Sequence, residues 1–220
     1  MLGLRVRTVV VLVLVALVAL TAAAWFSPLL AVRSVAVRGA TVVGEQQVVD
    51  ALGVPAGTPL LRVDLTAAAT RVAALPRVAT AKVERVLPST LRVSVLERRA
   101  VAFVSAAGGA HLIDAGGVDF AVEAPPPGLP ELVVTAPAPG DPRTTTALGV
   151  LGALPDALRT QVGKIGARST DGVELTLRDG RTVRWGGADS PDRKAAVLAA
   201  LLTRPGRVFD VSSPALPTVQ

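Results

Sequence analysis

The 220-residue chain has no cysteine, a single histidine (His111), no tyrosine and only 3 % aromatic residues. Without cysteine there is no disulfide framework, no thiolate nucleophile and no cysteine-ligated zinc or iron–sulfur centre. One histidine likewise excludes a multi-histidine metal site. The scarcity of Phe and Trp leaves no stacking platform for nucleic acid, and no basic helix with interleaved aromatics is present. No cofactor or small-molecule substrate is indicated either: Gly186-Gly187 and the other glycine pairs lack a following Lys-Ser or Lys-Thr, so they are turns rather than phosphate cradles.

What the chain does have is apolar aliphatic content. Apolar residues make up 50 % and charged residues 18 %, a balance that excludes disorder for most of the chain. From Thr8 to Phe26 nineteen residues pass without a charge. As a helix rising about 1.5 Å per residue, that run reaches roughly the 30 Å of a bilayer's hydrocarbon. Arg5 and Arg7 precede it and orient the N-terminus to the cytoplasm, Trp25 lies at the far interface, and Pro28 stops the helix. A cleaved signal peptide is the competing explanation, with Ala22-Ala23-Ala24 as the small residues at the cut. Both export everything after residue 30.

The net charge of +6 is uneven: residues 1–30 carry +2, residues 31–105 carry 10 basic against 5 acidic groups, and residues 106–220 carry 11 against 12. A basic segment directly after an apolar one suits anionic lipid head groups, near which each Lys or Arg is worth about 1 kcal/mol.

Patterning predicts a strand over Val32 to Arg38, then a helix over Gly44 to Leu52 closed by Gly53. A second helix, Leu65 to Leu75, is N-capped by Asp64, with Leu65, Ala68, Val72 and Leu75 on one face. Val78 to Val86 and Thr90 to Glu97 form a hairpin around Leu87-Pro88-Ser89, with Val83, Leu91, Val93 and Val95 inward. Beyond it, strands are expected at Ala100 to Val104, Ala110 to Ile113 and Leu132 to Thr135, and a helix over Thr144 to Leu158. Further strands follow at Val162 to Ser169, Val173 to Arg178 and Thr182 to Trp185. Ser190 N-caps a helix to Thr203 with Val197, Leu198, Leu201 and Leu202 buried, and Arg207 to Val211 is the final strand.

Several stretches together resemble the FtsQ/DivIB family of bacterial cell-division proteins. Gly57-Thr58-Pro59-Leu60-Leu61-Arg62-Val63-Asp64 is similar to the interhelix segment of the family's membrane-proximal POTRA domain. Leu75-Pro76-Arg77-Val78, Ala81-Lys82-Val83-Glu84-Arg85 and Pro88-Ser89-Thr90-Leu91 resemble its most recognisable part. Leu96-Glu97-Arg98-Arg99-Ala100-Val101-Ala102 looks like the passage out of that domain, and Leu112-Ile113-Asp114 like the next strand and turn. Three departures stand out: Arg85-Val86-Leu87-Pro88 lacks a common Trp, Ala100 replaces a frequent Pro, and Ser212-Ser213 follow Asp210-Val211 where members can carry Arg and an aromatic residue.

The resemblance implies an α+β chain in four parts: a short cytoplasmic tail (1–7), a transmembrane helix (8–30), a POTRA-type β-α-α-β-β domain (31–99) and a β-rich domain with a terminal helix and strand (100–220). It implies a single-pass protein of the bacterial cytoplasmic membrane at the division septum, non-enzymatic, that recruits FtsB- and FtsL-like proteins and so links assembly to septal peptidoglycan synthesis. Sheet edges accept partner strands, so the partner site is expected at the last strand, Val208, Phe209, Asp210 and Val211, supported by Trp185, Leu198, Leu201 and Leu202. Two alternatives remain open. An exported hydrolase would need His111, with Asp114 and Ser105 nearby. A POTRA-containing export or assembly factor would normally carry a membrane β-barrel, for which residues 100–220 have too few even, lipid-facing strands.

Overall fold

A computed structural model describes residues 10–17 and 30–220. Residues 10–17 are helical and exposed. Arg5, Arg7, Trp25 and residues 8, 9 and 18–29 of the helix expected over 8–30 lie outside the described residues. Among the described residues no helix is long and apolar enough to cross a membrane. The chain divides into two compact units, one reaching to Glu97 and the other starting at Arg98.

The first unit runs β1 (Ser34–Arg38), α1 (Glu45–Leu52), a 3-10 turn (Leu60–Arg62), α2 (Leu65–Ala73), β2 (Val78–Val86) and β3 (Thr90–Glu97). β3 is central, parallel to β1 and antiparallel to β2. Period-2 alternation sends Leu91, Val93 and Val95 inward, where they meet Val48, Leu52, Ala68 and Val72 from the helices. Gly53 ends α1 in the left-handed region (φ 63°), where a side chain would be strained. Asp64 Oδ1 accepts from the Ala67 amide at 3.0 Å, which makes it the expected cap of α2. The carboxylate of Glu97 accepts from the amides of Thr41, Val42 and Val43 (2.8, 2.9 and 2.8 Å) and from Thr41 Oγ1 (2.6 Å). That donor set, the Thr41 hydroxyl first, holds its pKa down at about 2.

The second unit runs β4 (Ala100–Ala106), β5 (Gly109–Asp114), β6 (Asp119–Val122), β7 (Glu131–Val133), α3 (Pro142–Ala153), α4 (Asp156–Arg159), β8 (Val162–Ala167), β9 (Val173–Leu177), β10 (Thr182–Gly186), α5 (Pro191–Leu201), β11 (Val208–Asp210) and β12 (Thr218–Val219). Among the described residues these strands make one nine-stranded sheet in the order β12-β11-β10-β9-β8-β7-β4-β5-β6. α3 packs on β8 and β9 and meets α5, so Leu148, Leu151, Ile165, Leu175, Trp185 and Leu198 share one core.

The patterning does not predict the strands β6 and β12, and the helices differ from it in three ways. The single helix expected over Thr144 to Leu158 is two helices, because Pro155 has no amide to donate and forces Leu154 into extended backbone (ψ 135°). α3 also starts earlier, at Pro142, since Asp141 Oδ2 takes the Thr144 amide at 2.8 Å and is the true cap. Ser190 does not cap α5 with its side chain: its backbone is left-handed (φ 45°), whereas a capping residue needs an extended one.

Candidate functional site

β11 lies parallel to β10, with Val183 opposite Phe209 and Arg184 opposite Asp210. Behind this pair the side chains of Trp185, Phe209, Leu198 and Leu201 are buried, with Leu202 half-buried at the end of α5. These side chains therefore pack into the core behind the strand rather than facing outward. The Trp185 indole Nε1 finds no hydrogen-bond acceptor among the described residues.

Two cations fasten α5 to the segments that flank β10. Lys194 is wholly buried and donates to the Gly187 carbonyl at 3.0 Å and to Asp189 Oδ1 at 2.8 Å. The ammonium lowers the carboxyl pKa of Asp189 through that bond and its charge. Arg181 bonds Asp179 Oδ2 at 2.7 Å and the Leu202 carbonyl at 3.0 Å, and its guanidinium carbon lies 5.5 Å from the centre of the Phe209 ring. Neither cation belongs to a recognisable motif. Periodicity offers a signal for Lys194, which shares the stripe of Leu198 and Leu201 at spacings of four and three.

The outer side of β11 is not free. β12 pairs with it antiparallel, Phe209 opposite Val219 and Asp210 opposite Thr218. The Val208 amide donates to the Gln220 carbonyl at 2.9 Å and the Gln220 amide returns a bond to the Val208 carbonyl at 2.9 Å. The edge expected along Val208 to Val211 is thus occupied by the chain itself. Val211 is buried, and its amide donates inward to the Arg184 carbonyl at 2.9 Å, so it is no part of an open edge. Asp210 accepts from the Ser212 amide (3.0 Å) and hydroxyl (2.6 Å), which shapes the turn that leaves the strand.

The backbone groups that do face outward belong to β12. Because Gln220 exchanges both bonds with Val208, the amide and carbonyl of Val219 alternate to the far side. Two glycines make room for this layout. A β-carbon on Gly186 (φ 79°) would stand 2.8 Å from Ser212 Cβ, and one on Gly206 would stand 2.3 Å from Val219 Cγ1.

The residues considered for hydrolysis do not converge. His111 Nδ1 meets Asp119 Oδ2 at 2.6 Å. Asp114 instead binds Arg98 Nη1 at 2.5 Å and accepts from the Gly116 and Val118 amides. Ser105 donates to Glu131, whose pKa is lowered by Lys164 first and Ser105 second.

Comparison with known proteins agrees with this architecture. Residues 30–98 match the family model described as "POTRA domain, FtsQ-type", and residues 102–214 match "Cell division protein FtsQ/DivIB, C-terminal". The chain is 51 % identical over 218 residues to Cell division protein FtsQ of Mycobacteroides abscessus, covering 99 % of this chain and 70 % of that protein. Against the protein of the same name from Mycobacterium tuberculosis the identity is 45 % over 218 residues, covering 99 % and 69 %. Against that of Corynebacterium glutamicum it is 35 % over 221 residues, covering 98 % and 99 %. With both units matched in order and the relatives aligned along nearly the whole chain, this protein belongs to the FtsQ/DivIB family of cell-division proteins.

Proposed function

We propose that this protein is a membrane-anchored scaffold of the division machinery, without catalysis of its own, that recruits FtsB- and FtsL-like proteins and connects their assembly to septal peptidoglycan synthesis. The apolar run from Thr8 to Phe26 anchors it in the cytoplasmic membrane, with Arg5 and Arg7 on the cytoplasmic side, Trp25 at the opposite interface and both units outside. The partner contributes a strand to the end of the nine-stranded sheet. It pairs with the outward amide and carbonyl of Val219 and extends past β12, while Val208 and Asp210 flank it. Trp185, Phe209, Leu198, Leu201 and Leu202 keep that end rigid from beneath.

The observation that carries this proposal is the short outer strand. A two-residue β12 backed by buried Phe209, Trp185 and Leu198 is an edge that is covered yet open to a further strand. Edge prolines are tolerated where the amide faces solvent, so Val219→Pro removes the outward donor and leaves the bonds to β11 in place. In the native host, depletion with a fluorescent second copy is expected to give undivided filaments or branched cells and midcell bands. The Val219→Pro copy, stably expressed, is expected to lose co-purification of FtsB- and FtsL-like proteins. Normal division on depletion, or unchanged co-purification by Val219→Pro, overturns the assignment.

A further inference from the structure

The first unit covers only one face of its sheet with helices. On the opposite face, cross-strand partners form a small lattice: Ser34, Thr90 and Val86; Ala36, Arg92 and Glu84; Arg38, Ser94 and Lys82; and Leu96 beside Thr80. Ser34 Oγ and Thr90 Oγ1 bond at 2.8 Å across it. The face is open to solvent, with the Lys82 side chain 72 % exposed and Leu96 60 % exposed. Its charge is three cations against one anion, and that anion, Glu84, is already paired with Lys82 at 2.7 Å. Arg92 stands across from Glu84 and its charge also helps hold that carboxyl down, after Lys82, which leaves the face with a net excess of cations. α1, on the other side of the unit, has the opposite sign, presenting exposed Glu45 and Asp50.

From this we infer that the open β-sheet face of the first unit, centred on Arg38, Lys82 and Arg92, docks on the anionic lipid head groups of the membrane that anchors the chain. The inference rests on the anchoring assigned under Proposed function. Chain length supports it: five residues separate Phe26, the last residue of the stretch assigned to the anchor, from buried Val32. Fully extended, that stretch reaches about 20 Å, roughly two screening lengths at physiological salt. Charge supports it too, because the cationic face is attracted to the surface and the acidic face of α1 is repelled. The composition of the face argues against a protein partner as its occupant. It has no Trp, Tyr or Phe to anchor an interface, and its side chains between the cations are mostly small.

The absence of cysteine makes the test direct, since a single introduced thiol is the only one in the chain. Full-length Ser94→Cys and Gln46→Cys proteins, labelled with an environment-sensitive fluorophore, are reconstituted into phosphatidylcholine vesicles with and without about one-fifth phosphatidylglycerol. A lipid with a spin-labelled head group serves as quencher. Docking predicts at least about twofold stronger quenching at position 94 than at 46, only with phosphatidylglycerol present, and lost when salt shortens the screening length to a few ångströms. Arg38→Glu with Arg92→Glu abolishes the difference, and the salt titration on the unaltered face gives the same answer without relying on that variant. Equal quenching at both positions, or none in anionic vesicles, overturns docking while leaving the anchor intact. Docking that survives only when a soluble acidic protein is added assigns the face to a protein partner and overturns it as well. A chain that fails to float with the vesicles overturns the anchor, and the docking with it.

Discussion

Gly206 and Val219 approach so closely that a β-carbon on the glycine would lie 2.3 Å from Val219 Cγ1, with Phe209 Cζ 3.5 Å away. The glycine is therefore a condition for β12 to seat on β11. Gly206→Ala must push back a β-branched side chain, at a cost of about 1–3 kcal/mol. The loss falls on β12, held to β11 by the few bonds around Gln220, and not on the core. Hydrogen exchange is expected to show the Val208 and Gln220 amides losing about tenfold or more of their protection while Ile165 and Leu175 keep theirs. Uniform protection across the variant would refute this.

Glu97 ties the β1–α1 loop to β3 through four donors, and its pKa stands at about 2 against an ordinary 4.5. A depressed carboxyl contributes stability that is complete above the unfolded value and is lost as pH falls through the folded one. Glu97→Gln is thus expected to cost about 1 kcal/mol at neutral pH, discounted for solvent screening. The gap to the unaltered protein should narrow between about pH 4.5 and 2. Thermal unfolding followed by circular dichroism across that range checks the sign, and a gap that widened on acidification would contradict it.

For the Lys194–Asp189 pair, replacing the exposed partner is expected to be more damaging than replacing the buried one. Lys194→Met removes the buried charge, keeps most of the apolar stem and leaves only the Gly187 carbonyl short of a donor, about 1–3 kcal/mol. Asp189→Ala leaves a wholly buried ammonium without its carboxylate, the costlier outcome. Urea denaturation of the two variants gives the order directly.

Trp185 combines a large apolar ring with an unpaired buried donor. Trp185→Phe loses volume but also removes the orphan N–H, so the two effects oppose and the net change is expected within about 1.5 kcal/mol. Trp185→Ala has no such compensation and should cost about 3–5 kcal/mol. A Phe variant as unstable as the Ala variant would refute this balance, since Phe keeps most of the ring volume.

Local pattern and tertiary context divided the chain unevenly. The hairpin Val78–Val86 and Thr90–Glu97 has the bounds that alternation predicts, because one buried face sets both period and register. Asp64 and Gly53 are legible as caps for a similar reason: each satisfies a need that arises within one helical turn. Asp141 was legible in principle, a capping residue directly before Pro142, but the leucine spacing of the following residues draws attention downstream. Of the candidate site, the support is readable from periodicity and the covering strand is not.

Composition and short-range spacing suffice for the cysteine-free, non-thiol chemistry, the apolar N-terminal run, the order of elements in the first unit and the membership that the comparisons bear out. Those properties live in composition and in spacings of two to four residues, which the chain carries without folding. That Thr218–Val219 closes over Val208–Asp210, that Lys194 turns inward to Gly187 and Asp189, and that His111 answers Asp119 and not Asp114 depend on the folded chain. A two-residue strand has no periodicity of its own. It exists because Gly206 leaves room for Val219 and because the outward amide and carbonyl of Val208 find their partners on Gln220.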